Sequence, residues 1–159
     1  MLDNIAPPPL TDLAIFENIH EDELAFFRDK FSFMSYIEDD IILNGSAFEQ
    51  KYCYFLNAGR VRVVRTTPSN NEVSYYDLEA PMGFGFENIF PSETIGKKSA
   101  NVIVSALTDV HLFVVKQDNF SEVLKDYRIL MNFTKYALQS YQMLVSPPET
   151  RLNQFRKSA

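Results

Sequence analysis

One cysteine, two histidines and five glycines are all that the 159 residues hold of three residue types that often carry site chemistry. A lone cysteine, Cys53, excludes an internal disulfide framework. No histidine or basic cluster flanks it, so it reads as a structural thiol in a strand rather than a reactive one. His20 precedes a helix and His111 lies in a strand, with no carboxylate or cysteine at ligand spacing around either. A jelly-roll metalloenzyme needs two or three clustered histidines on adjacent strands, and that pattern is missing. No serine elbow, phosphate loop or dinucleotide fingerprint occurs. The acidic run Ile37 to Asp40 reads as a turn. The chain is therefore expected to have no catalytic residue, no metal site and no resident cofactor.

Other absences bound the partners. No apolar run approaches the ~20 residues that span a bilayer, and no basic-then-apolar leader opens the chain. A cytoplasmic location without membrane contact is the expectation. Lysine and arginine never cluster beyond two adjacent residues, and the net charge is −6 with a pI near 4.9. Phosphate neutralisation supplies most nucleic-acid affinity, so nucleic acid is not expected as a partner.

What is present is apolar and patterned. Hydrophobic residues make up 46% and aromatics 14%, enough for one folded domain with a real core. Residues 1–9, with "APPPL" beginning at Ala6, form an extended Pro-rich lead-in. Thr11 or Asp12 is placed to cap a short turn, and His20 precedes the acidic helix start "EDEL". Leu24, Phe27 and Phe31 recur there at helical spacing.

From Ser32 the period shortens. "FMSYIEDDIILNGS" reads as strand, acidic turn and a second strand ending at Asn44-Gly45. "KYCYFLNAGRVRVVRTT" alternates through Tyr52, Tyr54 and Leu56, turns at Asn57 to Gly59, and alternates again through Val61 and Val63. "EVSYYDLE" and the two runs around Thr108-Asp109 add three more strands. Short strands at close intervals predict an antiparallel sandwich or barrel. Helices follow: "DNFSEVLKDY", with Asp118 as N-cap and Phe120, Val123, Leu124 and Tyr127 inward, then the stretch from Arg128 to Val145. Pro147-Pro148 stops it, and residues 146–159 form a polar tail.

This order resembles the cyclic-nucleotide-binding domain of catabolite-activator-type regulators, kinase regulatory subunits and gated channels. Leu13, Ile15 and Phe16 are similar to the family's Leu-Phe lead-in. Gly45 and Gly59 in "DDIILNGSAFEQKYCYFLNAGRVRVV" match its two turn glycines, and "SALTDVHLFVVKQDNFSEVL" resembles the segment closing the domain. The likeness runs from residue 10 to about 145. It implies a mainly β, antiparallel, jelly-roll-like β-roll of about eight strands with flanking N-terminal and C-terminal helices.

In that family the cyclic phosphate sits in a cassette between two strands, held by backbone N–H groups, a ribose-binding glutamate after Phe-Gly, and an arginine. Here "GFGFENIF" (83–90) puts Phe86 where the glutamate belongs, with Glu87 one residue late. Near Ala100, the arginine's place, the nearest cations are Lys97 and Lys98. No arginine lies between Arg65 and Arg128. Lysine neutralises a phosphate without a bidentate fork. Two readings stay open. In one, Gly83, Gly85, Phe86, Glu87, Asn88, Lys97, Lys98 and Ser99 form a ligand-binding cassette for a regulatory cyclic nucleotide, mono- or dinucleotide. In the other, the glycines serve a turn or close packing, the charges are solvated, and the cassette is worn.

The final helix poses a similar choice. Leu130, Phe133, Ala137, Tyr141 and Leu144 recur at steps of three and four, with Leu138 beside them. This stripe either docks on the domain's own sheet or makes an interface with a second copy or another protein. Transcriptional members carry a helix-turn-helix beyond this helix, which the tail here does not resemble. The expected function is a stand-alone signalling adaptor, not an enzyme, working through protein contacts with weak or lost mononucleotide binding. The alternative is a sensor using the residue 83–98 cassette.

Overall fold

The computed structural model describes residues 6–46, 51–67, 72–86 and 101–145, with backbone only at 67 and 139–145. Among the described residues, eight antiparallel strands form two four-stranded sheets. They are β1 (Phe31–Tyr36), β2 (Ile41–Ser46), β3 (Tyr52–Ala58), β4 (Arg60–Thr67), β5 (Glu72–Glu79), β6 (Gly83–Phe84), β7 (Asn101–Ala106) and β8 (Val110–Lys116). One sheet runs β1-β8-β3-β6 and the other β2-β7-β4-β5. The α-helices among the described residues are α1 (Glu21–Leu24), α2 (Gln117–Val123) and α3 (Tyr127–Val145). The expected β-roll with flanking helices is the observed architecture. Among the described residues, no helix is long and apolar enough to cross a membrane.

The turns follow from local chemistry. Between β1 and β2, Asp40 accepts a hydrogen bond from the Ile37 N–H at 3.0 Å, and Asp39 takes φ 72°. Asp109 ties this turn to the next hairpin by accepting from the Glu38 N–H at 3.0 Å. Between β3 and β4, Gly59 has φ +92°, and a Cβ there would stand 2.3 Å from the Asp109 carbonyl oxygen. Only glycine allows both the left-handed backbone and that approach.

The strands enclose two cores. Between the sheets lie Leu56, Val61, Val63, Leu78, Val104, Ala106, Val110 and Leu112. Outside the first sheet, Phe55, Phe113 and Cys53 pack against the helices and the N-terminal turns through Phe16, Phe120, Ile129 and Phe133. β3 and β8 are thus covered on both faces. This is why Cys53 and Phe55 are as buried as Tyr54 and Leu56, although alternation predicts one buried face only.

Five expectations need correction. Thr11 and Asp12 lie inside a 3₁₀ turn, Leu10–Asp12, whose N-cap is Pro9, and neither caps it or the turn that follows. Phe31 begins β1 rather than closing a helical face; after α1 the chain takes a 3₁₀ turn over Arg28–Lys30. Gly45 lies inside β2, which runs on to Ser46, and not in a turn. α2 begins at Gln117 with Lys116 at its N-cap, so Asp118 is a first-turn acid. Tyr127 faces solvent, 72% exposed, because α2 stops at Val123 and α3 starts a new axis. Asp126 caps α3 by accepting from the N–H groups of Arg128 and Ile129 at 2.9 and 3.4 Å. Its carboxyl is held below the usual range, chiefly by the Arg128 side chain.

Candidate functional site

The cassette's first residues leave the first sheet through β6. Phe84 opposes Tyr54 and Gly83 opposes Phe55 in register. A Cβ on Gly83 would meet the Tyr54 carbonyl oxygen at 2.3 Å, the Tyr136 hydroxyl at 2.8 Å and the Phe86 ring at 2.9 Å. Gly85 has φ +88°, and a Cβ there would lie 2.6 Å from the Tyr52 carbonyl oxygen. Both glycines are set by how closely β6 approaches β3. The Gly85 carbonyl accepts from the Gln117 side chain at 3.2 Å and from the Cys53 thiol at 3.6 Å. The corner is thereby tied to β3 and to the start of α2.

The two phenylalanines around Gly85 go opposite ways. Phe84 turns into the roll and stacks on Tyr54, centroids 4.6 Å apart and planes within 10°. Phe86 turns out toward the helices. Its ring lies 5.4 Å from Phe55, 5.3 Å edge-on to Phe133 and 6.1 Å from Tyr136. The space a Gly83 side chain would need is filled by the Phe86 ring. The residue in the glutamate's place is an apolar bolt between β3 and α3. Glu87, Asn88, Lys97, Lys98 and Ser99 lie outside the described residues.

Among the described residues, Tyr36 and Tyr54 bring phenols to the inner core. Tyr36 donates to the Met34 sulfur at 3.8 Å, and burial, then Asp40, raises its pKa. Burial, with Tyr36, Tyr52 and Cys53 nearby, pushes Tyr54 up to about 12. Burial also raises Tyr136 on the helix side. Arg62 and Arg65 fall on opposite faces of β4, a distinction sequence reasoning passed over. Arg62 points outward, bonded to both Asp77 oxygens at 2.8 and 3.1 Å and lying 5.0 Å over the Tyr75 ring. Arg65 shares the inward face of Val61 and Val63. The period-2 pattern was the signal that could have found it. No group of three or more His, Cys, Asp or Glu fit to hold a metal occurs among the described residues.

α3 presents two unlike faces. Ile129, Phe133 and Tyr136 are buried, and Asn132 anchors the helix by donating to the carbonyls of Ile15 and Glu17 at 3.0 and 2.9 Å. Arg128 bridges Glu23 and Asp126. Outward lie Tyr127, Leu130, Met131 and Leu138, the last 55% exposed. Of the predicted stripe, Phe133 belongs to the core, Ala137 is half-buried and Leu130 faces out; the side chains of Tyr141 and Leu144 lie outside the description.

Comparison with known proteins agrees with this architecture. The sequence profile of the family described as cyclic nucleotide-binding domain matches residues 34–127. No curated protein matches the sequence. Among solved structures, the chain is similar to a cAMP-binding acyltransferase from Mycobacterium smegmatis, with a TM-score of 0.63 and 17% identity over 82% of this chain and 39% of that one. It is similar to the catabolite activator protein of Thermus thermophilus, with a TM-score of 0.58 and 18% identity over 91% of this chain and 63% of that one. It is also similar to the regulatory subunit of a cAMP-independent protein kinase A from Trypanosoma brucei, with a TM-score of 0.60 and 16% identity over 93% and 48%. It spans less than two thirds of the length of each. At these identities the structures speak for the fold alone, but the profile covers more than half of the 159 residues, and the chain belongs to the cyclic nucleotide-binding domain family.

Proposed function

We propose that this domain is a non-catalytic regulatory module acting through protein contacts, with cyclic mononucleotide affinity weak or lost. The observation that carries the reading is Phe86. Where the family resemblance puts a ribose-binding carboxylate, this chain puts a ring packed on Phe55, Phe133 and Tyr136. Turning Phe86 toward a ligand would empty the junction between β3 and α3. The outward face of α3 supplies the contact surface, with Tyr127, Leu130, Met131 and Leu138 exposed along it. A second copy or a different protein can bury such a stripe equally well.

Two measurements test this. Cyclic AMP and cyclic GMP at millimolar concentration should move the melting temperature little. Saturation at 100 times a dissociation constant would add about 2.7 kcal/mol, or about 5–10 °C for a chain this long. A clear shift at micromolar nucleotide overturns the reading. Met131→Glu with Leu138→Glu should abolish self-association or partner capture, read by light scattering, with the fold intact by circular dichroism.

A further inference from the structure

The outward residues of α3 have a spacing of their own. Tyr127, Met131, Thr134 and Leu138 follow one another at steps of four, three and four, as along a coiled-coil seam. All four are exposed. This is a different stripe from the one read along the chain, in which Phe133 belongs to the core. Thr134 suits a seam because its hydroxyl already donates to the Leu130 carbonyl at 2.8 Å and needs no partner from outside. In the sequence the same steps continue through Tyr141 and Val145, and the helical backbone runs to Val145.

Charge narrows the partner. α3 contains no aspartate or glutamate, and its charged residues, Arg128 and Lys135, lie seven apart on one flank of the seam. Arg128 is held by Glu23 and Asp126. Lys135 is exposed and makes no ion pair among the described residues. The same bias runs along the sequence. Residues 127–159 hold Arg128, Lys135, Arg151, Arg156 and Lys157 against Glu149 alone, in a chain whose net charge is −6. Two copies of α3 side by side would bring cations and uncharged residues to each other's flanks and no opposite charge. In a two-helix seam the flank charges set partner choice, since like signs repel and opposite signs attract.

We propose that α3 docks a helix of a different protein, with apolar residues at heptad spacing and aspartate or glutamate on the flank that meets Lys135. This docking rests on the protein-contact reading of the same face and gives the partner its chemistry. A second copy and an anionic membrane are the rival occupants.

The test titrates the intact chain, by fluorescence anisotropy, with two labelled three-heptad peptides. Both carry leucine at the seam positions; one has glutamate on its flanks and the other lysine. The glutamate peptide should bind, and the lysine peptide should bind about 10-fold more weakly. Lys135→Glu should weaken the glutamate peptide by about 3- to 10-fold and strengthen the lysine peptide, the reversal of one exposed charge pair. Met131→Glu with Leu138→Glu should abolish binding of both, with circular dichroism as the check on folding. Equal binding of the two peptides, or a glutamate preference that survives Lys135→Glu, overturns the acidic partner. Failure of both peptides to bind overturns the docking and leaves the protein-contact reading to its own test. Self-association by light scattering that Met131→Glu with Leu138→Glu abolishes assigns the face to a second copy; it overturns the acidic partner and leaves the protein-contact reading standing. Binding to phosphatidylserine-containing vesicles that the same variant loses assigns the face to a membrane and overturns both.

Discussion

Phe133→Ala separates the two roles that a helical stripe can play. Phe133 is fully buried and meets Phe120 edge-on at 4.8 Å, Phe86 edge-on at 5.3 Å and Tyr136 at 6.5 Å. Truncating a buried phenylalanine removes its transfer free energy and leaves a cavity, together costing about 3–5 kcal/mol. The rigid rings around it relax poorly, so the upper half of that range is expected. Against a total stability of about 5–15 kcal/mol this is a large share. At about 2–4 °C per kcal/mol, the melting temperature should fall by about 6–20 °C. The assay is urea unfolding followed by circular dichroism, with light scattering at each step. Leu138→Glu is the comparison, since an exposed change should stay within about 0.5 kcal/mol while altering association. A Phe133→Ala chain that keeps its stability within about 1 kcal/mol and loses only association would refute the packing argument and return Phe133 to the interface.

Two further outcomes follow from the same geometry. Gly83→Ala must push β6 off β3, because the new methyl would stand 2.3 Å from the Tyr54 carbonyl oxygen; a loss of about 1–3 kcal/mol is expected, with faster hydrogen exchange at Phe84 and Phe55 as the local readout. A wild-type rate at both amides would count against it. For pH, Tyr54 has its folded pKa raised from 10 to about 12. The fold favours the neutral phenol, so its contribution is complete below pH 10 and is lost as pH rises from 10 toward 12. Thermal melts should therefore weaken across that window, and Tyr54→Phe should flatten part of the fall. A melting temperature flat to pH 12 would contradict it.

Much of this protein was legible before any coordinates. Strands of alternating residues announce themselves by period, which is why β4, β5 and the β7–β8 pair sit where Val61, Tyr76 and Val110 suggest. Turn chemistry is partly local: Asp40 bends the acidic run before Ile41 by accepting from the Ile37 N–H, and Gly59 supplies a positive φ, although the contact that excludes a side chain there comes from Asp109. The lone cysteine and the scattered histidines were bounded by composition.

What sequence could not determine is which neighbour a face meets. β3 lies between the inner core and the helices, so Cys53 and Phe55 are buried by elements more than 60 residues away along the chain, Phe120 and Phe133 among them. Phe86 stands where the family resemblance implies a ribose-binding glutamate, yet Gly83 makes room for its ring and α3 covers it. A 3.6-residue period marks α3 as amphipathic over a wide arc, and spacing alone ranks Leu130 with Phe133. Asn132 bonding the N-terminal carbonyls fixes the rotation that buries one and exposes the other. Arg62 and Arg65 likewise read alike along the chain. An odd number of residues between two positions on a strand changes nothing, but three steps reverse the face, and only the closed roll makes one face an interior. Period is a property of neighbouring residues, whereas burial depends on what the rest of the chain brings alongside.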